Sequence, residues 1–461
     1  MTTIEQLYEI FLRHPSVQTD TRLLKTGDIF FALKGPSFNG NTFATKALEL
    51  GAAYAVIDEV PAGAAGASGD HHSSTNGNKA VLTSISDDRL LLVPDVLTAL
   101  QDLALHHRRQ FDIPFIAITG SNGKTTTKEL VHAVLAAEFT TYTTKGNLNN
   151  HIGIPLTLLS VRRDAEFAVI EMGANHQKEI EGYCRYALPT HGIITNIGRA
   201  HLEGFGGPEG VKKGKGELYD YLRDEGGTAF VWRDSDDLRQ MSRGIPHIVS
   251  YGVADADLTG RIAAIAGGGK DGATGSTLLQ VEITRGATTG VIHTQLVGDY
   301  NLPNVLVAVT VGKHFGVPDG KIRKAIEAYT PSNSRSQLIE RDGNHIILDA
   351  YNANPSSMRA AIENFAQIQV DHPKVLILGA MAELGPESLH EHQGIVDLIG
   401  EYSWLQVVLV GGDFLKINHP YLSFTNSKEA GHWFCNAGLN DTWLLIKGSR
   451  SSKMEDVLES K

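Results

Sequence analysis

The segment Ile118-Thr-Gly-Ser-Asn-Gly-Lys-Thr-Thr-Thr-Lys-Glu-Leu130 constrains this chain more than any other. A glycine turn ending in Lys-Thr-Thr lies between the apolar run Phe115-Ile-Ala-Ile118 and a stretch of helical character. A strand, a tight turn and a helix in that order make an anion pocket from backbone N–H groups and a helix N-terminus. In such a pocket Lys124 reaches the β- and γ-phosphates of a nucleotide, and the Thr125 hydroxyl is suited to ligate Mg²⁺. Gly120, Ser121, Asn122, Gly123 and Thr126 are the other expected nucleotide contacts. The turn is shorter than the usual G-x-x-x-x-G-K-[ST] loop, whose first glycine would fall at Ile118.

The 461 residues are enough for two to four domains with substantial cores. A net charge of −11 argues against nucleic acid or an anionic membrane as partner, since phosphate backbones select basic faces. Cys184 and Cys435 stand too far apart in sequence to suggest a disulfide framework or a zinc spacing. The N-terminus has neither a basic region nor a long apolar one, and no apolar run is long enough to span a bilayer. A cytoplasmic monomer without membrane insertion is the expectation.

The expected fold class is α/β in three domains. These are an N-terminal α/β unit over residues 1–110, a central doubly wound P-loop domain over 111–330, and a smaller Rossmann-like domain over 331–461. In the first, Gly27–Gly35 and Ala53–Ile57 suit buried strands, and Ala44–Gly51 has helical spacing with a glycine cap. In the second, strands are predicted at Phe115–Thr119, Ala168–Met172, Gly192–Ile197, Ala229–Arg233 and Ile248–Tyr251. A hairpin is predicted around Arg285-Gly286. In the third, strands at His345–Asp349, Lys374–Gly379, Leu405–Val410 and Trp443–Ile446 alternate with helical stretches such as Ser357–Phe365, without a G-x-G-x-x-G after a strand. Ala62–Asn78, with its Asp70-His71-His72, and Ala266–Gly275 read as surface loops.

Ligands of open parallel sheets bind beyond the carboxyl ends of the strands. Glu171 closes an otherwise apolar strand there, and a carboxylate in such a place needs a cation or hydrogen-bond partner. Beside a phosphate loop it is expected to be an Mg²⁺ ligand rather than a salt-bridge partner. His201, beyond the next strand, is a candidate ligand for a second metal ion. Asn147, Asn149 and Asn150, in Lys145-Gly-Asn-Leu-Asn-Asn150, suit either a turn or a grip on phosphate or sugar groups. Lys212-Lys213-Gly-Lys215 is open to two readings, a solvated basic patch or a source of charge for a transferring phosphoryl group.

Ile-Thr-Gly-Ser-Asn-Gly-Lys-Thr-Thr, Gly-Asn-Leu-Asn-Asn, Ile-Glu-Met-Gly-Ala-Asn-His and Ala200-His-Leu-Glu-Gly-Phe-Gly206 resemble the successive motifs of the Mur ligases. These ATP-dependent enzymes build the peptide stem of bacterial peptidoglycan. Asp20-Thr-Arg22 with Gly27-Asp-Ile-Phe-Phe-Ala-Leu is similar to the family's uridine-binding domain, which implicates Thr21 and Arg22 in substrate binding. Tyr351-Asn-Ala-Asn-Pro355, Met381-Ala-Glu-Leu-Gly385 and Lys447-Gly-Ser-Arg450 resemble the member that adds D-alanyl-D-alanine to UDP-N-acetylmuramoyl-tripeptide. Tyr351, Asn352 and Asn354 are thereby implied to bind substrate.

The resemblance further implies that Lys124 contacts ATP phosphates, that Thr125 and Glu171 hold one Mg²⁺, and that His201 helps hold a second. Lys215 falls where the family has a carbamylated lysine, Asn301 and Asn304 match its adenine contacts, and Arg335 matches an arginine that reaches the nucleotide when the third domain closes. Four positions depart from the pattern. Tyr300 stands for a common histidine, Ser334 for the glycine before the arginine, Ala380 for an aspartate, and Asn39-Gly-Asn41 for Asp-Gly-His or Asp-Gly-Asn. The expected reaction is two-step ligation through an acyl phosphate, with no general base assigned. Rival readings are another Mur step, a folylpolyglutamate-type ligase, a nucleotide-sensing module and an assembly scaffold. The N-terminal unit argues against the folate type, Glu171, His201 and Lys215 together against a sensor, and the lack of repeats against a scaffold.

Overall fold

The strand–turn–helix predicted at Phe115–Leu130 is present in the computed structural model, as the strand Phe115–Thr119 and the helix Lys124–Ala136. Residues 1–61, 87–263, 278–332 and 334–459 are described. The predicted loops Ala62–Asn78, with Asp70-His71-His72, and Ala266–Gly275 lie outside them. The chain divides into two compact units. One comprises residues 1–115, 142–170 and 182–188, and the other residues 116–141, 171–181 and 189–461.

In the first unit, strands Val17–Gln18, Ile29–Phe31, Tyr54–Ile57 and Leu90–Leu92 form a parallel sheet in that order. Its core is Phe30, Ala32, Ala44, Ala47, Leu48, Ala55, Ile57 and Leu90. The apolar run predicted as one strand at Gly27–Gly35 is shorter, because the chain turns into a small hairpin of Lys34–Gly35 with Phe38–Asn39. Gly40 closes that turn through its N–H on the Leu33 carbonyl (2.9 Å), so tightly that a Cβ there would lie 2.2 Å from the same oxygen.

In the second unit the central sheet runs Val291–Val297, Leu278–Arg285, Leu258–Ile262, His247–Gly252, Thr228–Trp232, His191–Ile194 and Phe115–Thr119. The hairpin Leu278–Arg285 with Val291–Val297 is antiparallel, as predicted, and joins Leu258–Ile262 antiparallel too; the remaining pairings are parallel. The Leu302–His314 helix is apolar on all sides and buried from Asn304 to Gly312, as a helix inside a core must be. It crosses the P-loop helix closely enough that a Cβ on Gly312 would sit 2.5 Å from Val134 Cγ1.

The same unit contains a second sheet, ordered Gln337–Arg341, Asn344–Asp349, Trp443–Lys447, Lys374–Gly379, Gln406–Val410 and Leu422–Phe424 among the described residues. The first pair is antiparallel and the rest parallel. Its core includes Ile346, Val375, Ile377, Val408, Leu444 and Ile446. Each such aliphatic chain, once fully buried, contributes about 1.5–3 kcal/mol. Gln337–Arg341 and Leu422–Phe424 escape a reading by apolar runs because they are edge strands with polar or exposed positions. No helix among the described residues is long and apolar enough to cross a membrane.

Candidate active site

Backbone geometry makes the phosphate loop. Gly123 holds φ +78° as the N-cap of the Lys124–Ala136 helix, and Gly120 holds φ +138° where a Cβ would meet Thr195 Oγ1 at 2.0 Å. Both are positions that only glycine occupies without strain. The strand predicted to reach Ile197 ends at Ile194, because the next residues leave the ladder to lace the loop. The Asn196 carbonyl accepts from Ser121 N–H at 3.0 Å and its Oδ1 from Asn122 N–H at 3.0 Å. Thr195 Oγ1 donates to the Asn122 carbonyl at 2.6 Å, and Ser121 Oγ donates to the Gly198 carbonyl at 3.0 Å.

Lys124 folds over this loop, donating to the carbonyls of Gly120 (2.7 Å) and Ser121 (3.2 Å). Burial pulls its ammonium down to about 8; the attraction of Glu171 opposes the shift and the repulsion of Arg335 adds to it. Thr125, one residue on, donates from Oγ1 to Glu171 Oε2 at 2.9 Å, both side chains being buried. Glu171 is held in place by its strand, since Met172 N–H bonds the Ile118 carbonyl (2.8 Å) and Thr119 Oγ1 bonds the Met172 carbonyl (2.8 Å). A hydroxyl and a carboxylate side by side at the start of a phosphate loop are hard oxygen donors, and Mg²⁺ commonly takes one or two of these and completes its shell with phosphate and water. The pair fits one magnesium ion.

His201 is placed differently. At φ +52° its Nδ1 pairs with Glu383 Oε2, a residue of the Met381–Gly385 loop. Among the described residues no group of three or more His, Cys, Asp and Glu is placed to hold a metal. In this arrangement the Nδ1 side of His201 is taken up by Glu383.

The basic run Lys212–Lys215 separates into two environments. Lys212 pairs with Asp237 (2.5 Å) near the surface and Lys213 is exposed. Lys215, two residues on from Lys213 and so on roughly the opposite side of the helix, is 1% exposed, its Nζ donating to the Ala174 carbonyl at 3.0 Å and standing 4.9 Å from the Phe205 ring centre. Burial first, and then repulsion from Lys124, hold its amine well below the ordinary lysine range, with Glu179 and Glu217 opposing. The solvated-patch reading holds for Lys213 and fails for Lys215.

Asn301 and Asn304, expected at the adenine, are both buried under the loop. Asn301 Nδ2 donates to the Val297 carbonyl (2.8 Å), Asn304 Nδ2 to Asn301 Oδ1 (2.9 Å), and Thr127 Oγ1 to Asn304 Oδ1 (3.0 Å). A Cβ on Gly123 would lie 2.8 Å from Asn304 Oδ1. Their amides brace the P-loop helix from below. Thr126 follows in that helix and is partly exposed.

Around the same loop stand residues of the second sheet. The Arg335 guanidinium lies 3.5 Å from the Tyr351 ring centre, with Arg450 at 5.9 Å from the same ring. The preceding residue Ser334 holds φ +55°, the conformation that the expected glycine takes freely. Tyr300 packs on Gly298 and its hydroxyl lies 3.1 Å from Ser336 Oγ. Asn354 caps the Pro355–Gln367 helix and donates through Nδ2 to Asn122 Oδ1 at 2.7 Å, while Asn352 stays exposed. Ala380 has its Cβ against Gly412, so close that a Cβ on Gly412 would lie 2.4 Å from it. Nothing in the local sequence marks Arg199 or Glu391 as part of a site. Glu383 alone left a signal, inside the motif Met381–Gly385.

In the first unit, Arg22 forks onto Asp20 through Nε (2.9 Å) and Nη2 (2.6 Å) with most of its side chain in solvent, and Thr21 is partly exposed. Asn150 Oδ1 accepts from Ile152 and Gly153 N–H (3.1 and 2.9 Å) at the start of the Gly153–Ser160 helix, Asn147 is exposed, and Asn149 is half-buried. Asn41 is buried and donates to Asp58 Oδ1 at 2.7 Å. In this departure from the pattern, the amide ties two parts of the unit together.

Residues 118–312 match the Mur ligase middle domain, and residues 334–450 match the domain described as Mur ligase, glutamate ligase domain. The UDP-N-acetylmuramoyl-tripeptide–D-alanyl-D-alanine ligase of Bacillus subtilis is 31% identical over an alignment covering 98% of this chain and 94% of that protein. Its counterpart in Escherichia coli is 32% identical, over 96% of this chain and 93% of that one. Among solved structures, MurF from Acinetobacter baumannii superposes with a TM-score of 0.80 at 29% identity, covering 96% of this chain and 92% of that one. With relatives above 30% identity along nearly its whole length, the chain belongs to the Mur ligase family of ATP-dependent ligases.

Proposed function

We propose that this protein joins D-alanyl-D-alanine to UDP-N-acetylmuramoyl-tripeptide, with ATP converted to ADP and phosphate. The observation that carries the reading is the set of buried Thr125, Glu171 and Lys215 beside the half-buried Lys124 of the phosphate loop, in a chain similar throughout to ligases of that name. The working division is 1–110 for the uridine-linked substrate, 111–330 for ATP and 331–461 for the dipeptide. Action as a cytoplasmic monomer belongs to the same reading.

In the first step a carboxylate oxygen of the tripeptide attacks the γ-phosphorus, the bond to the β-γ bridging oxygen breaks, and ADP leaves an acyl phosphate. Lys124 transfers its N–H donors from the Gly120 and Ser121 carbonyls to phosphate oxygens, and the approaching anion favours its charged form. Thr125 and Glu171 would hold one Mg²⁺, which when bound offsets charge on the phosphate oxygens. Arg335, stacked on Tyr351 and near enough to repel Lys124, adds positive charge beside the same anion. In the second step the dipeptide amine attacks the acyl carbon, phosphate departs and the amine gives up a proton.

Lys215 has the properties that carbamylation requires. A buried amine of depressed pKa is neutral enough to add to CO₂, forming N–COO⁻ with release of one proton. The product is an anion that Lys124 attracts, where a charged Lys215 amine would be repelled by it.

The test is ADP release with UDP-N-acetylmuramoyl-tripeptide, with and without D-alanyl-D-alanine. Sustained release that needs both supports the proposal. A requirement for a single amino acid in place of the dipeptide would assign another step of the family.

A further inference from the structure

The loop after the His191–Ile194 strand touches the phosphate loop on one side and the second sheet's helices on the other. Its Asn196–Gly198 part carries the hydrogen bonds to Ser121 and Asn122 described above. Its next residue, Arg199, faces away. Arg199 N–H donates to Ser356 Oγ (2.9 Å) in the first turn of the Pro355–Gln367 helix, and its guanidinium pairs with Glu391 of the Ser388–Ile399 helix. The Glu391 side chain is 11% exposed. A carboxylate so withdrawn from water is stable only with its partner in place, and that partner comes from the ATP-binding part of the chain. Beside it, Asn354 reaches Asn122 of the phosphate loop.

We propose that Arg199 is a positioning residue, which couples seating of the residue 331–461 part to the phosphate loop through Glu391 and Ser356. The inference rests on the ligase reading above. Arg199 acts through the loop that holds Ser121 and Asn122. With Glu391 neutralised by Arg199, the N-cap of the Pro355–Gln367 helix lies against Asn122 and the phosphoryl-transfer geometry is complete. Without it, Glu391 does better in water, and the two parts separate.

The test compares full-length wild type, R199E, E391R and the R199E/E391R double variant, each checked for folding by circular dichroism. The readouts are kcat for ADP formation, KM for UDP-N-acetylmuramoyl-tripeptide, and radius of gyration by solution scattering. Each single variant is expected to lose about tenfold or more in kcat, keep KM within about twofold, and scatter as a more extended particle. The double variant, with its pair reversed, is expected to recover most of the kcat and the compact scattering. Single variants with wild-type kcat, or a folded double variant no better than either single, would overturn the inference. If the reversals do not fold, R199Q and E391Q replace them, with lowered kcat supporting the coupling and unchanged kcat in both overturning it. A wild-type protein that forms no ADP with these substrates would defeat the ligase reading instead, and scattering of the same variants would still decide whether Arg199 holds the two parts together.

Discussion

The phosphate loop at 120–125 and the asparagine loop at 351–355 are both dense in polar residues, yet they use them in opposite ways. In the first, backbone conformation does the shaping, through Gly120 and Gly123, and leaves Lys124 and the Thr125–Glu171 pair to face an anion. In the second, side-chain amides do the shaping. Asn354 spends its carbonyl on the N-cap of a helix and its amine on Asn122. A motif built on glycine turns exposes its chemistry; one built on asparagine amides consumes part of it in holding the fold.

The largest break in this contrast should come from Lys124→Ala. Loss of the cation that meets the phosphates is expected to lower kcat about 10³-fold or more, with binding of the uridine-linked substrate nearly unchanged. Calorimetric titration of that substrate and steady-state ADP assays separate the two effects. Lys215→Ala is expected next, at about a hundredfold, with partial rescue by short carboxylic acids that replace the carbamate. Full activity without them would return Lys215 to a purely structural place beside Phe205.

A variant at Asn304 sharpens the comparison. Asn304→Ala leaves the Thr127 hydroxyl and the Asn301 amide without their buried partner, a loss of about 1–3 kcal/mol in stability by chemical denaturation. A residue serving only adenine would instead raise KM for ATP and leave stability alone. The smallest effect belongs to Ser334→Gly. Relief of a left-handed serine is expected to stabilise the protein by no more than about 1 kcal/mol, with activity retained.

These contrasts also explain what could be read from sequence. The P-loop, its strand and helix, the parallel strands and the hairpin at Leu278–Val297 follow from local patterns of glycine and apolar periodicity. Glu171 was found because a carboxylate inside an apolar strand is an anomaly that demands a partner. Lys215 could not be separated from Lys212 and Lys213 by spacing; only the packing of Phe205 against Gly210 and Gly214 shows which lysine the helix buries. The bonds of Asn301 and Asn304 to each other, to Val297 and to Thr127 are not legible in sequence, where an amide that binds a base and one that binds a neighbouring amide are the same residue. His201 shows the same limit. Its partner Glu383 lies 182 residues away, beyond the reach of any local pattern.

Isotope transfer tests the central claim most directly. The tripeptide carboxylate is labelled with ¹⁸O at both oxygens, and the products of a turnover with ATP and D-alanyl-D-alanine are weighed by mass spectrometry. An acyl phosphate predicts one ¹⁸O in the released phosphate and one left in the new amide carbonyl. Unlabelled phosphate, formed while ADP accumulates, would mean that water and not the peptide carboxylate attacked ATP, and would contradict the account.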